Sequence, residues 1–190
     1  METYSSSTKA SEMVLVDKYI PDVKTELRYS TENNFTGKVI YNFKRAYLRY
    51  GTVEKLKKAQ ERLKEKGYSL KIWDAFRTVE AQFVMWNVYP NDDFVADPTK
   101  GFSNHSRGNT VDVTVIDGNG NELPMPTEFD DFEAMAKYDY DAEKDTEACK
   151  NALMLKEIML DVGFYISNTE WWHFRDVDMY PVEENFVPFE

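Results

Sequence analysis

Val111-Asp112-Val113-Thr114-Val115-Ile116 is the most strongly patterned stretch of the chain. Valines at every second position mark a strand with one apolar face, and Asp112 then points away from that face. Asp117-Gly-Asn-Gly-Asn121 follows, a run of turn formers that reverses the chain. Upstream, residues 68–74 alternate in the same way, with Tyr68, Leu70 and Ile72 on one face and Ser69, Lys71 and Trp73 on the other. Three helices are expected around these strands. One spans 52–66, where Val53, Leu56, Ala59 and Leu63 recur at helical spacing between a Thr52 cap and Gly67. A second runs from a Thr78 cap to about Tyr89, with Val79, Phe83 and Trp86 on one side and Pro90 ending it. A third covers about 142–162, with Ala148, Ala152, Leu155, Met159 and Val162 in register before Gly163. Residues 164–174 read as one final strand, and 13–50 as irregular structure that wraps the core. Strands and helices do not alternate as in a doubly wound sheet, so the expected class is α+β with a mainly antiparallel central sheet flanked by helices.

A chain of 190 residues has room for one domain with a sizeable core. We expect a polar, flexible leader over 1–12 and a single domain over 13–190. With 42% hydrophobic and 15% aromatic residues the chain has the means to fill that core with rings. A net charge of -11 repels phosphate backbones and anionic lipid, which argues against nucleic acid and membranes as partners. The single cysteine, Cys149, falls on the expected buried stripe of the third helix and reads as a small core hydrophobe. The first residues lack a basic segment followed by a long apolar run, so a cytoplasmic location is expected, with a periplasmic or extracellular one if a signal was removed. Oligomeric state is not legible.

Only two histidines occur, His105 and His173, each beside carboxylates at what reads as a strand edge. Catalytic zinc commonly takes three protein ligands from histidine and carboxylate and keeps a fourth position for water. His105, Asp112 and His173 would supply such a set.

The surroundings are Ser103-Asn-His105-Ser-Arg-Gly108-Asn-Thr-Val-Asp112 and Glu170-Trp-Trp-His173. This pattern resembles that of the D-Ala-D-Ala peptidase and hedgehog-type metallopeptidase family. Glu26-Leu-Arg-Tyr-Ser-Thr-Glu-Asn-Asn-Phe-Thr-Gly37 looks like the amino-terminal segment of its zinc D-Ala-D-Ala dipeptidases. Trp73-Asp74-Ala75-Phe76-Arg77 is similar to the family's D-x-Y-R-P segment, with Phe76 for the usual Tyr and Thr78 for the usual Pro. These departures bear on local backbone geometry, since the arginine is present.

The resemblance implies one zinc ion per chain on His105, Asp112 and His173, with Glu170 as catalytic base and Arg77 polarising the scissile carbonyl. It implies Ser103 as a substrate contact and Asp130 as a counter-charge to the substrate ammonium, with Asp131 as a competing choice. The expected activity is hydrolysis of the D-alanyl-D-alanine dipeptide by metal-activated water. A peptidoglycan DD-carboxypeptidase or endopeptidase is the alternative, and a non-catalytic zinc module a third reading. Strict alternation would put Glu170 and His173 on opposite faces of a strand, so a bulge or strand end is expected between them. Resemblance speaks to reaction type more than to role, which leaves vancomycin resistance, D-alanine salvage and wall recycling all open.

Overall fold

The structure is a computed structural model, and it describes residues 8–131, 146–167 and 169–189. Its elements in chain order are β1 (Met13–Leu15), α1 (Val16–Tyr19), β2 (Lys24–Thr25), β3 (Tyr47–Arg49), α2 (Tyr50–Lys64) and β4 (Ser69–Asp74). They continue with α3 (Val79–Val88), β5 (Thr110–Ile116), α4 (Glu147–Asp161), β6 (Phe164–Ile166) and β7 (His173–Asp176). The larger sheet has the order β2-β4-β5-β7-β6, and all its pairings are antiparallel except the parallel pair β2 and β4. β1 and β3 form a separate antiparallel pair. The α+β class with a mainly antiparallel central sheet is therefore what forms, and no described helix is long and apolar enough to cross a membrane.

β5 is the middle strand, with no exposed residue along its length. Val111, Val113 and Val115 are fully buried; α4 packs on β5 and β6, and α2 packs on α4 and β4. Burying an aliphatic side chain of this size contributes about 1.5–3 kcal/mol, so this valine face is a main source of stability. The helical face of α2 is as expected, with Val53, Leu56, Ala59 and Leu63 fully buried, and Gly67 takes the left-handed φ of 82° after it. Asp117 closes the turn after β5 by accepting from the backbone of Asn119 and Asn121.

Several local expectations need correction. α2 begins at Tyr50, and Thr52 is not its cap. Its buried hydroxyl donates to Asp176 Oδ2 at 2.7 Å, tying α2 to the end of β7. In α3 the buried residues are Ala81, Gln82 and Met85, while Phe83 is 41% exposed. The wanted contact there is polar: Gln82 is drawn inward by Arg77, which rotates the helix away from its most apolar side. The expected final strand is a hairpin, β6 and β7, whose connection holds Glu170. α4 starts from a Thr146 cap at Glu147, and 142–145 lie outside the described residues. Of the expected leader, residues 1–7 lie outside the described residues, and the carbonyls of Ala10, Ser11 and Glu12 accept from the start of α2 and from Arg49.

Candidate metal centre and active site

The central strand brings the site together. Asp112 sits on β5 opposite His173, the first residue of β7, and opposing residues of a ladder share a face. On the other side the β4 register shifts between Ile72 and Asp74, so Asp74 lies opposite Asp112. Plain alternation would have put Asp74 on the face of Leu70 and Ile72. The extra residue, Trp73, turns it to the site instead. The edge at which the site lies is thus the ends of strands β4 and β7, around interior β5.

His105 arrives from a 3₁₀ turn, Asn104–Arg107, just before β5. Ser103 caps that turn, its Oγ accepting from the His105 amide at 3.2 Å, and Gly108 ends it with a φ of 72°. The ring is fixed by Nδ1, 2.8 Å from the Ala75 carbonyl oxygen. A carbonyl only accepts, so Nδ1 carries the proton and Nε2 presents a lone pair. That lone pair faces Asp112 Oδ1 at 3.4 Å and His173 Nδ1 at 3.3 Å, while His173 Nδ1 and Asp112 Oδ1 are 3.0 Å apart.

These three atoms suit a cation. Ligand atoms about 2.0–2.1 Å from a tetrahedral zinc lie about 3.3 Å from one another, and the triangle here has sides close to that. His105, Asp112 and His173 form the one group of metal-ligating type found among the described residues. The Ala75 carbonyl behind His105 is the usual outer partner of a ligating imidazole. Burial works to raise the Asp112 pKa, but the two histidines together outweigh it and hold the carboxyl well below the usual range.

Glu170 precedes β7 by a turn in which the His173 amide donates to the Glu170 carbonyl. This is the strand end that alternation required. It places Glu170 Oε2 3.5 Å from His173 Nδ1. Burial pushes the Glu170 carboxyl up to about 8, with His173 acting against the rise and Asp112 and Asp130 adding to it. A carboxyl poised near neutrality is suited to taking up and giving back a proton.

Arg77 lines the same cavity and forms an ion pair with Asp74. Nη2 and Nε donate to Asp74 Oδ2 at 2.6 and 3.2 Å, Nη1 donates to Gln82 Oε1 at 2.9 Å, and the guanidinium lies 5.2 Å over the Tyr29 ring. Asp74 also accepts from Tyr41 Oη at 2.7 Å and from the Ala75 amide, and approaches His105 Nδ1 at 3.5 Å. One fully buried carboxylate therefore positions both the arginine and a candidate ligand.

The cavity over these groups measures about 190 Å³. This is below the roughly 300–1,000 Å³ of pockets that take drug-sized ligands. Asp92–Ala96 of the acidic loop that follows α3, Ser103, Trp172, Asp130 and Phe35 are also part of its wall. Asp130 accepts from Tyr29 Oη at 3.0 Å through Oδ1, while its buried Oδ2 has no hydrogen-bond partner. Burial, with the Asp112 charge, pushes its carboxyl up to about 7. It also holds a left-handed φ of 61°, a conformation that aspartate tolerates better than most residues. Asp131 is half-buried and is not part of the cavity wall. Both Trp171 and Trp172 are buried, and only Trp172 reaches the cavity.

All seven residues singled out from the sequence thus border one cavity. Sequence reasoning missed Asp74, Tyr29 and Gln82. The first two stood inside the segments that carried the resemblance, and Gln82 had no signal beyond being polar on an apolar side of α3.

Residues 9–190 match the family model described as D-Ala-D-Ala dipeptidase. The chain is 37% identical over 165 residues to the D-alanyl-D-alanine dipeptidase of Escherichia coli K12, covering 87% of this chain and 84% of that protein. It is 32% identical over 179 residues to the D-alanyl-D-alanine dipeptidase of Enterococcus faecium, covering 84% and 88%. A third, from Enterococcus faecalis V583, is 29% identical over 185 residues. The chain belongs to the D-Ala-D-Ala dipeptidase family of peptidases.

Proposed function

We propose that this protein is a zinc-dependent D-alanyl-D-alanine dipeptidase with one zinc ion per chain on His105, Asp112 and His173. The observation that carries the reading is the three-atom donor triangle with Glu170 beside it, inside a cavity small enough for a dipeptide. Zinc bound there would make water acidic enough to act as a nucleophile near neutral pH and would polarise the amide carbonyl.

The rest of the work belongs to side chains. Glu170 takes a proton from the attacking water and returns it to the leaving amine, and a cation on the triangle favours its ionised form. Arg77, held flat by Asp74 and Gln82, donates to the carbonyl oxygen as negative charge develops on it. Asp130 offers its unpaired oxygen to the substrate ammonium, which needs a counter-charge once desolvated. Ser103 orients the substrate from beside the first ligand.

Purified protein should contain one zinc per chain and release D-alanine from D-Ala-D-Ala faster than from a stem pentapeptide ending in the same pair. Preference for the pentapeptide would replace this reading with a carboxypeptidase. Absence of turnover with zinc bound would end it.

A further inference from the structure

Behind the wall that carries Asp130 lies a second cavity of about 340 Å³. Arg28, Asn33, Glu128 and Phe129 are among the residues around it, and it shares only Phe35 and Asp130 with the catalytic cavity. Phe35 and Asp130 therefore stand at the boundary between the two spaces. Phe35 supplies the bulk of it, since Asp130 is short and anchored to Tyr29.

Phe35 is built in as a wall and not as a flap. Its neighbour Asn34 staples the surrounding loop: Nδ2 donates to the carbonyls of Thr31 at 2.7 Å and Lys38 at 2.9 Å, and Oδ1 accepts from the amide and hydroxyl of Thr36 at 2.9 and 2.6 Å. Both backbone amides after the loop, Ile40 and Tyr41, donate to the Tyr29 carbonyl, which closes its base. The Phe35 ring then packs edge-on to Tyr29 at 6.1 Å and to Tyr89 at 6.2 Å. Ordering so many groups in a short irregular loop is costly, and the result is a fixed ring between two spaces.

We propose that Phe35 sets the length of substrate this enzyme accepts, and that the second cavity is a latent subsite for residues on the amino side of the scissile dipeptide. The inference rests on the reading of Asp130 as the partner of the substrate amine. A substrate extended beyond that amine must run past Asp130, where the phenyl ring stands. Without the ring the extension reaches a space that already exists, lined by Asn33, Glu128 and the Arg28 cation.

The test compares D-Ala-D-Ala-D-Ala and N-acetyl-D-Ala-D-Ala with D-Ala-D-Ala in wild type, Phe35→Ala and Phe35→Leu. The ratio of kcat/KM for the extended substrates to that for the dipeptide should rise by at least about 10-fold in Phe35→Ala, as removal of a steric block of more than a methylene requires, and by less in Phe35→Leu. Adding Asn33→Trp to Phe35→Ala, which puts an indole at a residue that borders the second cavity and not the catalytic one, should cancel the gain. An unchanged ratio in a variant that still hydrolyses the dipeptide overturns the partition and leaves the proposed function standing, and so does a gain that survives Asn33→Trp. If wild type turns over no substrate, the proposed function fails separately, and calorimetric binding of the tripeptide decides the partition. A 10-fold tighter complex with Phe35→Ala or Phe35→Leu supports it, and equal affinity overturns it.

Discussion

The two halves of the catalytic cavity are built in different ways. One half stands on paired strands: Asp74, Asp112 and His173 are opposed across β4, β5 and β7, and His105 is locked to the backbone where β4 ends. The other half is loop: Tyr29 and Phe35 in the segment stapled by Asn34, Asp92–Ala96 in the acidic loop, and Asp130 on a strained residue. Reaction chemistry needs atoms held to fractions of an ångström, which a ladder of backbone hydrogen bonds supplies. Selectivity needs shape, which loops can vary without disturbing the sheet. Substitutions in the strand-borne half should therefore strike turnover and metal, and those in the loop-borne half should strike KM and substrate choice.

The largest effects are expected at the triangle. His105→Ala should leave the protein without zinc and bring activity to background, checked by metal analysis and D-alanine release on the same sample. Glu170→Ala should separate metal from chemistry, keeping zinc while kcat falls about 10²- to 10⁴-fold. Loss of zinc in Glu170→Ala would mean that this carboxylate is a ligand, and the division of roles would fail.

Arg77→Ala comes next and should do two things at once. Removing an oxyanion donor costs about 10²- to 10³-fold in kcat. It also strands Asp74, a fully buried carboxylate whose main cationic partner is gone, at a cost of about 3–5 kcal/mol in stability. Both should appear, in steady-state kinetics and in denaturant unfolding. The double variant Arg77→Ala with Asp74→Asn should recover much of the stability and none of the rate.

Asp130→Asn probes the loop-borne half. Losing a charge-assisted contact to the substrate amine should raise KM about 10- to 100-fold, with a smaller change in kcat. Its effect on stability has the opposite sign. An aspartate near 3.9 in the unfolded chain and about 7 in the folded one holds more protons folded between those values. Stability of the metal-free wild type should thus fall as pH rises from about 4 to about 7, and the variant should lose that part of the slope. Asparagine also accepts the left-handed backbone more readily. A variant that binds substrate worse and folds better at pH 8 is the expected outcome, measured by unfolding at several pH values.

The strand-borne half was the legible one. Valine alternation fixed the face of Asp112, and the scarcity of histidine pointed to the triangle. Asp74 was hidden because the β4 bulge breaks the period on which such reasoning depends. By composition Glu170, Trp171 and Trp172 look strand-like and merge the hairpin of β6 and β7 into one strand, although the turn before β7 is what delivers Glu170. Thr52 and Phe83 failed for a shared reason. Each obeyed a local rule, capping or amphipathicity, that a buried polar partner overrode: Asp176 for the threonine and, through Gln82, Arg77 for α3. In the loop-borne half, periodicity carries no information. Ser103 and Asp130 came from resemblance alone, and no pattern flagged the wall formed by Phe35.

The smallest expected effect lies at the junction of the two halves. Thr78 follows Arg77 and caps α3, its side chain accepting from the Ala81 amide at 3.2 Å. The family segment has proline at this position, and the φ of -64° shows why threonine can stand there: the backbone already has the angle a proline ring would impose. Thr78→Ala removes the cap and should cost about 1 kcal/mol of stability. Thr78→Pro removes the same cap but stiffens the unfolded chain by about 0.4–1 kcal/mol, so it should be nearly neutral. Neither should move kcat by more than about 2-fold, because Arg77 takes its direction from Asp74 and Gln82 and not from the helix cap. A kcat that dropped in both variants alongside stability would show that the start of α3 aims the arginine, and the boundary between the two halves would have to be redrawn one residue later.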